Sequence, residues 1–485
     1  MSISDLLNDY TEKESGLIKN FIRYKRIGEG YLLTTDHGTW VYLNEEKFLQ
    51  YKNDQLDDET LKDLIDRGIY LINENAEAIV ERYADRISQK SQGAGLHIIV
   101  PTIRCNLRCI YCHSEAQSIT EGAEYDMTEE TLKKTLDFIF QSPNDNITIE
   151  YQGGEPLQNK YIVRRTIELS EEVNKIYKKK FTIALVSNLL NLDEEFLDFL
   201  VEHKDILTVT ASLDGPKYVH DKNRKYVNSN VGTYDQVVEK LKMCRNKGFN
   251  VGLLMVTTRY SLPYWKEIIQ EYLKWGINYI QIKPLDYLGY ACDVWDEIGY
   301  TVYEFVDFWK KCVDYTFELL GEGKVIMDRR LDFALDCLLH DKDTSFLDWT
   351  NPCGLLRGQI VYNYNGDIYC CDEARVMPDS ILGNVYVDDY NSVVNKLESQ
   401  QWMESSYLEG YYCDSCAYKP YCGICPVLHY AQEDNFRIKL NKTNRCHINR
   451  AIIDNAFENI IFNGDKLRRM FIGIKLKQAL GTKSN

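Results

Sequence analysis

The chain lacks any run of apolar residues long enough to span a bilayer, which takes about 20 consecutive residues. Its opening, MSISDLLNDYTEKESG, has no basic segment followed by an apolar core and so does not resemble a secretory signal. Proline is scarce, at 10 of 485 residues, and there is no low-complexity tract that would indicate disorder. We therefore expect a cytoplasmic globular protein with no membrane partner.

Positively charged side chains are also fewer than negatively charged ones. The chain has 57 Lys and Arg and 73 Asp and Glu, which gives a net charge of −16. A nucleic-acid groove needs a field of the opposite sign, so no nucleic-acid partner is expected. Cysteine, by contrast, is plentiful at 15 residues. A reducing cytoplasm does not keep disulfides, and metal ligation is the expected explanation.

The sequence divides into segments that differ in their pattern of predicted strands and helices. Three extended runs and two helical patterns within residues 1–95 predict a small α+β unit with a linker. From residue 96 short β-branched runs alternate with amphipathic helical patterns, which predicts a parallel sheet that is either open or rolled into a partial barrel. In such sheets chemistry gathers at the carboxyl ends of the strands. The predicted strands are 97–102, 147–151, 181–186, 207–212, 251–257 and 279–283.

Three cysteines follow the first of these strands directly: Cys105, Cys109 and Cys112, in a CxxxCxxC pattern. Cysteine thiolates ligate cubane iron–sulfur clusters, and three of them leave the fourth iron open for a chelating ligand. The alternative is a zinc site in which His113 supplies a fourth ligand.

This spacing, placed after the first strand, resembles the radical S-adenosylmethionine (SAM) superfamily. The segment 212–224, SLDGPKYVHDKNR, is similar to its peptide-modifying branch. The resemblance implies a partial (β/α)6 barrel whose [4Fe–4S] cluster reduces bound SAM to a 5′-deoxyadenosyl radical, which then abstracts hydrogen from a substrate. It also implies SAM contacts at the strand ends: Tyr111, Gly153, Gly154, Glu155, Pro156, Ser187, Asn188, Ser212, Asp214 and Met255.

A second cysteine array resembles the seven-cysteine SPASM domain, which holds two auxiliary [4Fe–4S] clusters. The resemblance implies a distal set, Cys413, Cys416, Cys422 and Cys446, and a proximal set, Cys353, Cys371 and Cys425. The chain departs from the pattern between Cys422 and Cys425, where two residues intervene in place of three. The fourth proximal ligand is Cys337, Cys370 or an open site, and a pair of zinc knuckles is the alternative for the whole array.

Asp372 follows Cys371 directly. In the sulfatase-maturing relatives an aspartate at this position serves as a base, so the resemblance implies a catalytic role for Asp372. The alternative is an exposed turn aspartate.

The segment 24–46 is similar to the opening of the His-Xaa-Ser-system radical SAM maturases and, more faintly, to PqqD-like recognition elements. Such elements bind a leader peptide as an added strand on a sheet edge. The resemblance implies docking of a leader peptide near residues 39–43, and a scaffold domain is the alternative.

The expected architecture is thus α/β. It comprises an N-terminal recognition-like unit (1–95), a radical SAM barrel (96–335), a cysteine-rich SPASM iron–sulfur domain (336–450) and a helical tail (451–485). The expected function is modification of a ribosomally made precursor peptide, with crosslinking preferred, three [4Fe–4S] clusters, SAM, and a flavodoxin- or ferredoxin-type electron donor. The alternatives are formylglycine formation of the sulfatase-maturase type and a non-catalytic iron–sulfur carrier or sensor.

Overall fold

A computed structural model describes residues 16–88, 92–340, 349–408, 412–436 and 444–481. The N-terminal unit is a three-stranded antiparallel sheet in the order β2-β3-β4, with a small β1–β5 pair beside it. Asn44 and Asp57 begin its first two helices by accepting backbone N–H groups with their side chains. Its elements are β1 (Ile18–Lys19), β2 (Ile22–Ile27), β3 (Gly30–Thr35), β4 (Trp40–Asn44), α1 (Glu45–Lys52), α2 (Asp58–Asp66), β5 (Tyr70–Leu71) and α3 (Asn73–Ser88).

The central part alternates strands and helices as predicted, and its six long strands run parallel. Its strands are β6 (Leu96–Ile99), β7 (Arg104–Cys105), β8 (Leu107–Cys109), β9 (Gln117–Ser118), β10 (Asn146–Tyr151), β11 (Lys180–Ser187), β12 (Leu207–Ser212), β13 (Arg224–Tyr226), β14 (Val251–Val256), β15 (Tyr279–Lys283) and β16 (Met327–Asp328). Its helices are α4 (Glu129–Phe140), α5 (Lys160–Tyr177), α6 (Glu194–Glu202), α7 (Lys217–Asn223), α8 (Tyr234–Asn246), α9 (Trp265–Leu273), α10 (Tyr290–Asp293), α11 (Trp295–Ile298), α12 (Val302–Gly321) and α13 (Arg329–Leu339).

The C-terminal part contributes strands to the same sheet. Strand β17 pairs in parallel with β6, so the sheet order is β16-β15-β14-β12-β11-β10-β6-β17-β18-β19. The sheet is therefore open among the described residues, with the cysteine-rich segment extending one edge. The elements are β17 (Gln359–Tyr362), β18 (Asp367–Tyr369), β19 (Gly383–Asn384), α14 (Tyr390–Val394), α15 (Leu397–Ser405), α16 (Pro426–Glu433), α17 (Asn444–Phe462) and α18 (Gly464–Gly481).

Alternation along the strands separates the core from the inner face of the sheet. On β10, Ile147, Ile149 and Tyr151 are buried in the hydrophobic core, while Glu150 faces the interior cavity. On this strand the apolar side chains thus pack in the core, and the carboxylate is left for the inner face.

The predicted segment boundaries at residues 335 and 450 each fall inside a continuous helix, α13 and α17 respectively. These neighbouring segments are therefore joined by helices rather than by linkers. None of the helices in the described ranges combines the length and the apolar character needed to cross a membrane.

Candidate functional site

A cavity of about 470 Å³ occupies the inner face of the sheet near the carboxyl ends of its strands. That volume lies within the usual range for small-molecule sites. The cavity brings together residues that are far apart in the sequence, including the first cysteine triplet and the region after Cys371. Of the predicted site residues, it is lined by Cys105, Cys109, Tyr111, Cys112, Gly153, Gly154, Glu155, Ser187, Asn188, Ser212 and Asp372.

The three cysteines of the first cluster lie on the loop formed by β7, β8 and the residues that follow. Burial, with the nearby Cys109 and Glu155 charges, raises the pKa of the Cys105 thiol. Burial also raises the pKa of the Cys109 thiol to about 12, although the Arg224 cation acts in the opposite direction. The charges of Cys109 and Cys112 act on Cys105, and the charge of Cys112 acts on Cys109, so the three thiols are neighbours.

Hydrogen-bond donors point at two of these sulfurs. Cys105 Sγ lies 3.4 Å from the Leu107 backbone N and 3.9 Å from Asn188 Nδ2, and Cys109 Sγ lies 3.7 Å from Arg224 Nη1. Such donors suit metal-bound thiolates, which carry negative charge. The donor set therefore fits a cysteine-ligated cluster. Within the described ranges, no three His, Cys, Asp or Glu side chains are already disposed to hold a metal ion.

The GGEP turn after β10 packs directly on the cysteine loop. A Cβ atom on Gly153 would lie 2.6 Å from the Thr102 carbonyl oxygen, and one on Gly154 would lie 2.3 Å from that of Arg104. Gly153 also has φ +136°, which glycine alone adopts readily. Both glycines are therefore required for the turn to approach the loop this closely.

Glu155 is buried and its carboxylate is fully engaged. Oε1 accepts hydrogen bonds from the Leu157 backbone N at 2.9 Å and Ser187 Oγ at 2.7 Å, and Oε2 accepts one from the Asn188 backbone N at 2.8 Å. Burial raises the pKa of Glu155, while these hydrogen bonds act to lower it. The carboxylate thus ties the GGEP turn to the end of β11.

Three predicted SAM contacts lie outside the cavity lining of the described residues: Pro156, Asp214 and Met255. Met255 packs in the hydrophobic core, while its neighbours Leu254 and Val256 line the cavity. The physical reason is that adjacent strand residues point to opposite faces of a sheet. Asp214 is fully buried and accepts hydrogen bonds from other side chains.

The second cysteine array divides into two groups. Burial raises the pKa of Cys413 to about 12, with the charges of Cys416 and Cys446 adding to the effect. The charges of Cys446, Cys416 and Cys413 act in the same way on Cys422, whose pKa burial also raises. These four residues make up the predicted distal set, brought together in space.

The other group lies around Cys371. Its pKa is raised by a hydrogen bond with Cys370 and by burial, and Cys425 also contributes. Cys425 in turn feels Glu373 and Cys353. The predicted proximal residues thus neighbour one another, with Cys370 beside them. Cys337 is buried on α13, and which residue is the fourth ligand stays a prediction.

Asp372 is buried rather than exposed on a turn. Its Oδ2 lies 2.7 Å from His113 Nε2, and its Oδ1 accepts a hydrogen bond from Arg375 Nε at 2.8 Å. Burial would raise the pKa of Asp372, but Arg375 and His113 outweigh burial and lower it. The network joins the first cysteine loop to the second array.

Three charged residues of the cavity were not among the predicted site residues. Glu150 and Lys283 line the cavity, and burial raises the pKa of Glu150 while Lys283 acts to lower it. Arg224 also lines the cavity and contacts Cys109. A charged residue inside an otherwise uncharged strand was an available signal for Glu150, and the charged end of the 212–224 segment was one for Arg224.

Comparison with known proteins agrees with this geometry. Residues 99–282 match the model of the radical SAM superfamily. The cysteine-type anaerobic sulfatase-maturating enzyme of Clostridium perfringens is 26% identical over 369 residues, which cover 74% of this chain and 94% of that protein. The antilisterial bacteriocin subtilosin biosynthesis protein AlbA of Bacillus subtilis is 24% identical over 328 residues, covering 67% and 65%.

Solved structures share the fold. Native anSMEcpe with bound AdoMet superimposes with a TM-score of 0.66 at 21% identity, covering 77% of this chain and 100% of that one. Streptococcus suis SuiB bound to precursor peptide SuiA gives 0.53 at 12% identity, covering 88% and 100%. The predicted α/β radical SAM fold class is confirmed.

Residues 99–282 are thus a radical SAM domain, and the chain that carries it is an enzyme. The chain is similar both to sulfatase maturases and to peptide-modifying enzymes of the SPASM type. The radical SAM domain implies a [4Fe–4S] cluster and SAM as cofactors.

Proposed function

We propose that this enzyme modifies a ribosomally made precursor peptide by radical chemistry, with a crosslink as the preferred product. One observation carries the proposal. The same cavity is lined by the first cysteine loop, by the strand ends that are predicted to contact SAM, and by Asp372 with His113. A peptide segment that entered this cavity would meet the radical source and a charged group together.

Within the cavity, Cys105, Cys109 and Cys112 would hold the SAM-binding cluster. The GGEP turn and the polar ends of β11 and β12 would hold SAM itself, with Ser187 and Ser212 facing the cavity. When bound, the cluster and SAM together supply a 5′-deoxyadenosyl radical. The surrounding side chains position the substrate and exclude water.

The second array supports two auxiliary clusters in the proposal. Cys413, Cys416, Cys422 and Cys446 would hold the distal one, and Cys353, Cys371 and Cys425 the proximal one. A crosslink removes two hydrogen atoms from the peptide. The first is taken by the 5′-deoxyadenosyl radical, and the second leaves as a proton, which passes to solvent, and an electron, which the auxiliary clusters would accept. The reducing electron would come from a flavodoxin- or ferredoxin-type donor.

The N-terminal sheet is the proposed dock for the leader peptide. Strand β4 lies at its edge, and Thr35 N donates to Thr39 O at 3.1 Å. Because bonded pairs alternate in antiparallel sheets, the backbone groups of Trp40 and Tyr42 point to the outer edge. An added strand could pair there. SuiB, whose fold this chain shares, was solved with a precursor peptide.

The test begins with reconstituted protein, SAM and dithionite, assayed for 5′-deoxyadenosine. Open reading frames beside the gene would then be searched for one that encodes a short peptide. That peptide would be co-expressed with the enzyme, and its mass would be measured by mass spectrometry. Release of 5′-deoxyadenosine and loss of two hydrogen atoms per crosslink are expected. If every cluster is loaded and no 5′-deoxyadenosine forms, the proposal fails and the carrier or sensor alternative stands.

Formylglycine formation is the second candidate. It is favoured by the match over 94% of the C. perfringens sulfatase-maturating enzyme and by the position of Asp372 after Cys371. A synthetic sulfatase peptide with a cysteine at the target position separates the two functions. Oxidation of the cysteine Cβ to an aldehyde, with the sulfur lost as hydrogen sulfide and the oxygen supplied by water, would be seen as a hydrazide-reactive product. It would support this candidate over peptide crosslinking.

A further inference from the structure

Arg224 places its guanidinium against a predicted cluster ligand. It begins β13, which pairs antiparallel with β8 so that Arg224 and Cys109 are partners in the register. Arg224 Nη1 lies 3.7 Å from Cys109 Sγ, a normal distance for a hydrogen bond to sulfur. The arginine side chain is only 8% exposed, so water does not screen its charge effectively.

Asp214 holds this arginine in place. Its Oδ2 accepts a hydrogen bond from Arg224 Nε at 3.1 Å, and from Tyr111 Oη at 2.6 Å. Asn223 Nδ2 and the Val256 backbone N also donate to the carboxylate, each at 3.2 Å. With donors from four residues, Asp214 has little freedom, and the guanidinium that it binds is fixed in turn.

We propose that Arg224 is a positioning residue that donates an N–H···S hydrogen bond to the Cys109 thiolate and so makes the SAM-binding cluster easier to reduce. The inference rests on the proposed role of Cys109 as a cluster ligand. It assigns the buried Asp214–Arg224 pair a function that a purely structural ion pair would not have.

The physical reason is the change of charge on reduction. One electron passes from the external donor to the cluster, no proton moves, and the cluster with its thiolates becomes more negative by one charge. A fixed cation beside a ligand sulfur stabilises that more negative state, since the attraction is strong where solvent is excluded. Hydrogen bonds to the ligand sulfurs are among the factors that set cluster potentials.

The competing explanation is that Arg224 merely neutralises the buried Asp214. Removing one member of a buried pair leaves an uncompensated charge and destabilises the fold, whereas replacing both is tolerated far better. The double variant Asp214→Asn/Arg224→Gln therefore removes the cation and keeps a neutral, hydrogen-bonding pair of similar shape. Lys225→Gln is the matched control, because it removes one positive charge from the adjacent position of the same strand.

The experiment is a potentiometric titration of the full-length reconstituted protein, followed by EPR. The SAM-binding cluster is identified as the signal that is absent from a Cys105→Ala/Cys109→Ala/Cys112→Ala variant. The double variant should lower the midpoint potential of that cluster by at least about 59 mV, which for one electron is a tenfold change in the reduction equilibrium. The midpoint potentials of the auxiliary clusters in the double variant should be unchanged. The midpoint potential of the SAM-binding cluster in Lys225→Gln should also be unchanged.

A second measurement needs no variant. Wild-type protein carrying arginine labelled with ¹⁵N in the guanidinium should show ¹⁵N coupling to the reduced SAM-binding cluster. An unchanged midpoint in the double variant, or absence of this coupling, would overturn the proposal. Absence of any SAM-responsive cluster in the wild type would instead sink the proposed function, so the two failures are distinguishable.

Discussion

Two buried ion-pair networks lie around the cavity. Asp372 lies against Arg375 and His113, and Arg445 Nη2 lies 2.9 Å from Asp286 Oδ1. Breaking one such pair leaves a buried charge without compensation, at a cost of about 3–5 kcal/mol. A loss of activity after a single substitution here must therefore be compared with a variant that breaks the same pair from the other side.

Asp372→Asn is the first prediction. We expect it to lower formation of modified peptide at least tenfold while 5′-deoxyadenosine still forms, because the carboxylate faces the cavity. Arg375→Gln breaks the same ion pair but keeps the carboxylate, so it is the control and should lose much less peptide product. Quantification of both products by mass spectrometry checks this. Equal losses in the two variants would assign Asp372 a structural role only.

At the scale of elements, one histidine joins β6 to the cysteine-rich segment. His97 Nδ1 lies 2.9 Å from Tyr362 Oη on β17, and its Nε2 lies 3.0 Å from the Ala94 carbonyl oxygen. Burial lowers the pKa of His97 to about 3, although the hydrogen bond to Ala94 acts to raise it. The folded protein therefore keeps this ring neutral across the physiological range.

The pH dependence of stability follows from that shift. A histidine in the unfolded chain is protonated below about pH 6.5, whereas His97 in the folded protein stays neutral. The stability that depends on a neutral His97 is therefore complete above pH 6.5, and it is lost as the pH falls toward the pKa of the folded protein. Between pH 7.5 and 5.5 the wild type should lose about 1.4 kcal/mol through His97. His97→Gln should lack this part of the loss. Thermal unfolding of both proteins at the two pH values measures it.

His340 provides the control for this experiment, because its side chain is 60% exposed. His340→Gln should retain the pH dependence of the wild type. A His97→Gln protein with an undiminished pH dependence would show that other buried groups dominate, such as His220, whose pKa burial lowers to about 4.

The outer edge of β4 gives a further prediction at this scale. Tyr42→Pro removes the outward N–H that an added strand would use, whereas Tyr42→Ala removes the same ring and keeps the N–H. We expect the proline variant to bind a fluorescent leader peptide at least tenfold more weakly than the alanine variant. Peptide-independent 5′-deoxyadenosine formation should be the same in both. Equal leader affinities would exclude docking at this edge.

At the scale of the whole molecule, the N-terminal unit is attached to the cysteine-rich segment. Arg23 Nε donates to the Asp414 carbonyl oxygen at 2.7 Å, and Thr34 Oγ1 donates to that of Ala417 at 2.8 Å. Tyr421 Oη donates back to the Gly38 carbonyl oxygen at 2.8 Å. The N-terminal sheet and the predicted distal cysteines are therefore neighbours in one structure, and a leader peptide docked on that sheet would lie near those cysteines.

The number of clusters is testable by iron content. Anaerobically reconstituted wild type should hold about twelve irons per chain, four for each of three clusters. Cys105→Ala/Cys109→Ala/Cys112→Ala and Cys413→Ala/Cys416→Ala should each hold about eight, while Cys244→Ala, at a buried cysteine of α8, should still hold about twelve. About eight in the wild type would leave only one auxiliary cluster.

Sequence patterns predicted the repeating part of the fold closely. The strand expected at 181–186 is Lys180–Ser187, and the strand expected at 279–283 is Tyr279–Lys283. Both depend on local periodicity, which the chain carries in its own order of residues. The cysteine triplet and the strand-end motifs were visible for the same reason, because they are short and contiguous.

Contacts between distant segments were decided by the tertiary structure. Residues 359–362 join β6 in parallel, Met255 points into the core and its neighbours into the cavity, and Arg224 meets Cys109 across 115 positions of sequence. The order of residues along the chain sets the alternation of strands and helices and the side chains available at the strand ends. Which side chains meet, and which are buried as pairs, depends on the order and register of the strands and on the face of the sheet to which each side chain points. These are properties of the packed sheet, since they arise only when segments remote along the chain exclude water together.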